Sequence, residues 1–209
     1  MKRTRVKICG IKEAKHALVA ADAGADAIGM VFYRDSPRYV TPGTAANIFA
    51  VLPPYVTTVG LFVDASDRKI RQTLKEVHLD LLQFHGSEEP DFCASFGVPY
   101  VRAVPMGADV DLLEYAGRFA TARALLLDAH VPGEAGGTGR TLDWTSIPRD
   151  LPMPVILSGG LTPENVGRAV REVKPWAVDV SSGVEASRGS KDPQKIVDFI
   201  RSVRREDAG

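Results

Sequence analysis

The chain has 209 residues, 44% of them hydrophobic, with 26 basic side chains set against 26 acidic ones. That length suits one large domain with a substantial core, and the balanced charge excludes the electrostatic footprint of a nucleic-acid-binding or anionic-membrane-binding protein while allowing a small anionic substrate. The two cysteines, Cys9 and Cys93, give neither a disulfide framework nor a metal-binding Cys-x-x-Cys spacing.

The basic start, Met1–Arg5, leads into no long apolar stretch, so it does not read as a signal peptide, and no apolar run is long enough to span a bilayer. A reduced, soluble, cytoplasmic protein is expected. A first strand is predicted over Val6–Cys9, a helix over Glu13–Ala23 and a second strand over Ala27–Phe32. A short helix over Thr44–Leu52 stops at Pro53-Pro54, and Thr57–Val63 forms the third strand. Ser66 caps a helix over Ser66–Val77, followed by strands over Leu79–Phe84, Tyr100–Val104 and Ala124–Asp128. Cys93 sits on a helical stretch between two of these strands. Asp143–Ile147 leaves room for barely a turn or two of helix. The strand Pro154–Ser158 then leads to a helix over Pro163–Val173, with Thr162 at the cap and Pro163 in the first turn. The last strand, Ala177–Ser181, precedes a helix over Pro193–Val203 capped by Asp192.

Eight strand–helix units in this length, without a Gly/Ser linker or a break in composition, predict an α/β fold: a single-domain (βα)8 TIM barrel over residues 1–209. The rival is an open doubly wound sheet. A dinucleotide-binding sheet of that kind carries Gly-x-Gly-x-x-Gly after its first strand, whereas this turn reads Cys9-Gly10-Ile11-Lys12. In a parallel barrel the tips of all strands share one face, so Cys9 and Asp128 face a common mouth as a thiol and a carboxyl. Either residue alone has a plainer reading. Cys9 could be a small buried hydrophobe and Asp128 a loop cap or the partner of a cation, and Cys93 takes the plain reading outright.

The seventh and eighth strands each run into small residues: Ser158-Gly159-Gly160-Leu161 and Ser181-Ser182-Gly183-Val184. Glycines let backbone N–H groups approach a phosphate closely, and these are the two positions where barrels of this type commonly bind one. Strand alternation places Lys7 on the inward face with Cys9, and an inward lysine needs a partner, for which Asp179 on the adjoining last strand is the candidate. Asp179 is also a candidate to hold a substrate hydroxyl.

Seven segments together, Val6-Lys7-Ile8-Cys9-Gly10-Ile11, Ser36-Pro37-Arg38-Tyr39-Val40, Leu82-Gln83-Phe84-His85-Gly86, Leu126-Leu127-Asp128, Gly136-Gly137-Thr138-Gly139, Leu157-Ser158-Gly159-Gly160-Leu161 and Val178–Glu185, resemble the phosphoribosylanthranilate isomerase family over nearly the whole chain and in the right order. The resemblance implies a βα barrel performing the Amadori rearrangement of N-(5-phosphoribosyl)anthranilate in tryptophan biosynthesis, with no cofactor and no metal. It implies Cys9 as the general base and Asp128 as the general acid. It implies Arg38 as the clamp on the anthranilate carboxylate, and a small phosphoribosyl substrate held at Gly159, Gly160, Ser182 and Gly183. Arg34 reads as a solvated neighbour of Arg38. An acid at the ring oxygen requires Asp128 to carry a proton, and a base requires Cys9 as thiolate, which a nearby cation favours.

Several features stay open on sequence. His85 reads equally as a site-lining group and as a hydrogen-bonded structural histidine. The glycine-rich loop Ala129–Arg140 reads as a lid or as a merely flexible loop, and Trp144 and Trp176 as packing residues. Monomer and homodimer are both allowed. Three rival functions are a histidine-pathway isomerase with two aspartates, a bifunctional enzyme and a non-catalytic phosphate-binding barrel.

Overall fold

The computed structural model describes residues 3–106, 110–128, 144, 147–148 and 150–209. Its eight parallel strands are β1 (Arg5–Cys9), β2 (Ala27–Val31), β3 (Thr57–Phe62), β4 (Leu81–Phe84), β5 (Tyr100–Pro105), β6 (Leu125–Asp128), β7 (Val155–Ser158) and β8 (Ala177–Val180). They hydrogen-bond in sequence order and close β8 onto β1, with Lys7 opposite Asp179 and Cys9 opposite Gly29. The expected barrel is therefore found, with strand ends displaced by a residue or two.

The helices are α1 (Ala14–Ala23), α2 (Pro42–Phe49), α3 (Asp67–Glu76), α4 (Pro90–Ala94), α5 (Leu112–Arg118), α6 (Val166–Val173) and α7 (Pro193–Ala208). Outward strand residues such as Val6, Ile8, Ile28 and Leu82 form the main core with the helices, where Phe32 stacks on Phe62 and Phe62 packs at a tilt against Phe84. Inward residues form a smaller interior cluster of Val101, Ala103, Ala124, Leu126, Ile156 and Ala177. Strands on the β5–β8 side thus contribute apolar side chains to both faces, as parallel strands covered on two sides do.

Two helix starts differ from the sequence expectation. The second helix begins at Pro42 and ends at Phe49, not Thr44–Leu52. Thr41 accepts from Thr44 N at 3.1 Å and Pro42 occupies the first turn, which moves the start forward. Pro53 disfavours helical geometry at its predecessor, so the end retreats into turns. The sixth helix starts at Val166, not Pro163. The Thr162 hydroxyl bonds Glu164 and does not cap the helix, while Asn165 accepts from Thr162 N at 2.8 Å and donates to Gly160 O at 2.9 Å. Asp192, by contrast, caps α7 as expected, accepting from Gln194 N and Lys195 N. The lid expectation over Ala129–Arg140 and most of Asp143–Ile147 lie outside the described residues. Among the described residues, no helix is long and apolar enough to cross a membrane.

Candidate active site

Alternation along β1 turns Lys7 and Cys9 inward, one layer apart. Lys7 Nζ donates to Asp179 Oδ1 at 2.9 Å and to Gln83 Oε1 at 2.8 Å, with both ion-pair side chains almost fully buried. The expected Lys7–Asp179 pair is therefore present beneath Cys9. Gly29 on β2 makes room for it: a Cβ there would lie 2.9 Å from Cys9 Sγ and 3.0 Å from Lys7 Cε. Cys9 is 3% exposed. Burial pushes its thiol up, and the attraction of Lys7 and Lys191 only partly offsets that, so the resting group is a thiol. Burial also opposes the charge on Lys7, but the Asp179 carboxylate beside it outweighs that and the ammonium is retained.

Asp128 ends β6 two residues beyond inward Leu126. His85 follows β4, and its Nε2 lies 3.0 Å from Asp128 Oδ2, while its Nδ1 lies 3.0 Å from Gln83 Nε2. The next peptide, Gly86, is clamped on both sides: its N–H donates to Glu88 at 2.9 Å and its carbonyl accepts from Arg102 at 2.6 Å. Glu88 and Arg102 are themselves a buried ion pair at 2.7 Å, located outside the barrel wall under α4 and α5. His85 is thus hydrogen-bonded at both ring nitrogens, with Asp128 as one partner.

Arg38 crosses over the tip of β1. A Cβ on Gly10, whose φ is +75°, would lie 2.5 Å from Arg38 Cδ, so only glycine allows the crossing. The guanidinium donates from Nε and Nη2 to the two oxygens of Glu185 at 2.7 and 3.0 Å. Glu185 also accepts from buried Lys191 at 3.1 Å and from Gly189 N at 3.0 Å. Burial alone would raise the Glu185 carboxyl, but these donors hold it below the usual carboxylate range. Arg38 is therefore already engaged along one edge of its fork. Arg34 is exposed.

The loops after β7 and β8 abut at the same end of the barrel. Gly159 and Gly160 have φ of +81° and +65°. Gly183 lies so close to Leu161 that a Cβ would overlap the Leu161 carbonyl oxygen. Ser182–Val184 forms one 3-10 turn at the tip of β8. Of the tryptophans, Trp144 is buried, whereas Trp176 stays 43% exposed beneath the Arg5 guanidinium, whose carbon lies 3.6 Å from the ring centroid.

Cys9, Asp128, Arg38, Asp179 and both glycine loops thus gather at the C-terminal end of the strands. Sequence reasoning missed the roles of Gly29, Gln83, Glu185 and Lys191. Inward parity on β4 could have signalled Gln83, since a buried amide next to an inward lysine is a ready acceptor. Nothing local in the sequence marks Glu185 as the partner of Arg38.

A closed βα barrel with its polar groups collected at the C-terminal strand ends defines an enzyme of the barrel class. Residues 6–202 match the family model described as N-(5'phosphoribosyl)anthranilate (PRA) isomerase. The chain is 57% identical to the N-(5'-phosphoribosyl)anthranilate isomerase of Thiobacillus denitrificans over 96% of this chain and 98% of that one. It is 54% identical to that of Hahella chejuensis over 98% and 96%. The crystal structure of phosphoribosyl anthranilate isomerase from Thermotoga maritima superposes with a TM-score of 0.89 at 41% identity, covering 96% of this chain and 98% of that one. A phosphoribosyl anthranilate isomerase in complex with reduced 1-(o-carboxyphenylamino)-1-deoxyribulose 5-phosphate superposes with a TM-score of 0.85 at 40% identity, with coverage of 96% and 98%. The chain belongs to the phosphoribosylanthranilate isomerase family.

Proposed function

We propose that the protein converts N-(5-phosphoribosyl)anthranilate to 1-(o-carboxyphenylamino)-1-deoxyribulose 5-phosphate, the isomerisation step of tryptophan biosynthesis, with Cys9 as base and Asp128 as acid. The observation that carries this reading is the placement of a buried thiol and a carboxyl on inward strand tips, joined through Lys7, Gln83 and His85.

The reaction is a redox-neutral proton rearrangement within one molecule, so it needs no cofactor. Asp128 gives a proton to the furanose ring oxygen as the C1′–O bond breaks and the amine nitrogen supplies its electron pair, leaving a C1′ iminium. Cys9, having released its thiol proton to solvent, takes the proton from C2′ as thiolate, and the C2′–H electrons flow toward the iminium to form an enolamine. Ketonisation at C2′, with protonation of C1′, completes the product. A thiol pushed up by burial yields a strong base once ionised, and Lys7 beside it stabilises the thiolate during that step.

Arg38, its Nε–Nη2 edge held by Glu185, offers the Nη1 end of its fork to the anthranilate carboxylate. The Gly159-Gly160 and Ser182-Gly183 loops take the phosphate, and Asp179 accepts from a ribose hydroxyl while neutralising Lys7. Incubation with N-(5-phosphoribosyl)anthranilate should abolish its fluorescence at an enzymatic rate, whereas the histidine-pathway aminoimidazole substrate should not turn over. Binding without turnover would favour the non-catalytic reading, and turnover of both substrates the bifunctional one.

A further inference from the structure

The polar chain between Lys7 and Asp128 has a fixed direction. A lysine ammonium can only donate, so the Gln83 atom facing it at 2.8 Å must be the carbonyl oxygen. The amide nitrogen of Gln83 then faces His85 Nδ1 at 3.0 Å and must donate, which makes Nδ1 an acceptor. The single ring proton is left on Nε2, pointing at Asp128 Oδ2, 3.0 Å away. Turning the amide over would set its NH2 against the ammonium and leave an acceptor facing the wrong side. Gln83 is fully buried, so water cannot repair the mismatch.

The ring cannot easily adjust by moving. His85 N donates to Phe62 O at 2.9 Å, and the following Gly86 peptide is held by Glu88 and Arg102. The Glu88–Arg102 pair is buried behind the barrel wall. Position and polarity of the imidazole are therefore set by groups that do not line the mouth.

We propose that Gln83 and His85 are positioning residues for Asp128: the one-way donor chain from Lys7 fixes His85 as the Nε2–H tautomer, commits Asp128 Oδ2 as an acceptor, and so assigns the catalytic proton to Oδ1. The same N–H stabilises the carboxylate left after the proton is delivered, with no rearrangement of the chain. This rests on Asp128 being the acid, as proposed above, but its structural core, the tautomer, does not.

The test is long-range 1H–15N correlation of the imidazoles in 15N-labelled protein, with His85 assigned among the four histidines as the signal lost in His85→Asn. Wild type should show Nε2 protonated and Nδ1 unprotonated. In Gln83→Glu the new carboxylate accepts on both sides, so the ring proton should move from Nε2 to Nδ1, leaving Nε2 to accept the Asp128 proton at Oδ2. Its kcat should fall by about 10–100-fold with KM within about 2-fold, because the acid is misdirected while substrate contacts remain. A proton on Nδ1 in wild type would overturn the proposal even if Gln83→Glu failed to fold, and so would wild-type kcat in a folded Gln83→Glu protein. Asp128→Asn separates the two ideas: undiminished turnover there would remove the acid assignment while leaving the tautomer measurement intact.

Discussion

Removing either member of the Lys7–Asp179 pair should cost far more stability than removing both. The two side chains are 7% and 6% exposed, so replacing Asp179 with Leu leaves an ammonium in the barrel with the Gln83 carbonyl and the Cys9 sulfur to face but no carboxylate. Loss of one partner of a buried pair typically costs about 3–5 kcal/mol. For a chain of this size that corresponds to a drop in Tm of about 6–20 °C, at about 2–4 °C per kcal/mol. Lys7→Met should cost a similar amount by leaving Asp179 charged and unpaired. In the double variant no charge remains, and the chief residual cost is the Gln83 carbonyl deprived of its donor, about 1–3 kcal/mol. The double-mutant cycle, measured by urea unfolding at neutral pH, should therefore give a coupling of at least ~3 kcal/mol. Simple additivity within ~0.5 kcal/mol would refute the view that the barrel interior is held by this pair.

Other outcomes follow from neighbouring residues. Gly29→Ala introduces a methyl against Cys9 Sγ and Lys7 Cε, so it should lower kcat by about 10–100-fold with little change in KM; wild-type kcat would show that Cys9 needs no such space. Glu185 is held below the usual carboxylate range, so its stabilisation is present above that range and lost as pH falls through its folded value. Glu185→Gln should accordingly flatten the acid side of the stability–pH curve and raise KM through a loosened Arg38, and an unchanged acid limb would contradict this. Burial pushes the Cys93 thiol up to about 12, so its contribution is complete below the ordinary thiol range and is lost as pH rises toward that value. Urea midpoints of Cys93→Ala should fall less steeply than wild type above about pH 9, and parallel curves would count against the assignment.

Much of this molecule was legible from periodicity and strand tips. Short β-branched runs, each ending in a chemically distinct residue, gave the barrel and placed Cys9, Asp128 and Asp179 on a common face. The Lys7–Asp179 pair followed from alternation plus barrel closure, because a buried ammonium must be neutralised. Residues whose role depends on packing between distant loops were harder to read. The protein partner of Arg38 was hidden because Glu185, 147 positions away, closes on it only when the β8 loop folds back over Gly10. Thr162 looked like a helix cap, yet its hydroxyl bonds Glu164 and Asn165 ties the loop instead. His85 stayed ambiguous because its partners are set through Gln83 by Lys7, three strands away around the barrel. The resting ionisation of Cys9 was open for the same kind of reason: the Lys7–Asp179 pair was legible, but the depth of burial that pushes the thiol up was not.

The central claim is that Cys9 and Asp128 perform the two proton transfers. Single-turnover fluorescence with N-(5-phosphoribosyl)anthranilate, run on Cys9→Ala and Asp128→Asn beside wild type, tests it directly. Each replacement should slow the chemical step by about 10²–10⁴-fold while product affinity changes only modestly. A rate within about 3-fold of wild type in either variant, with the fold intact, would contradict the mechanism.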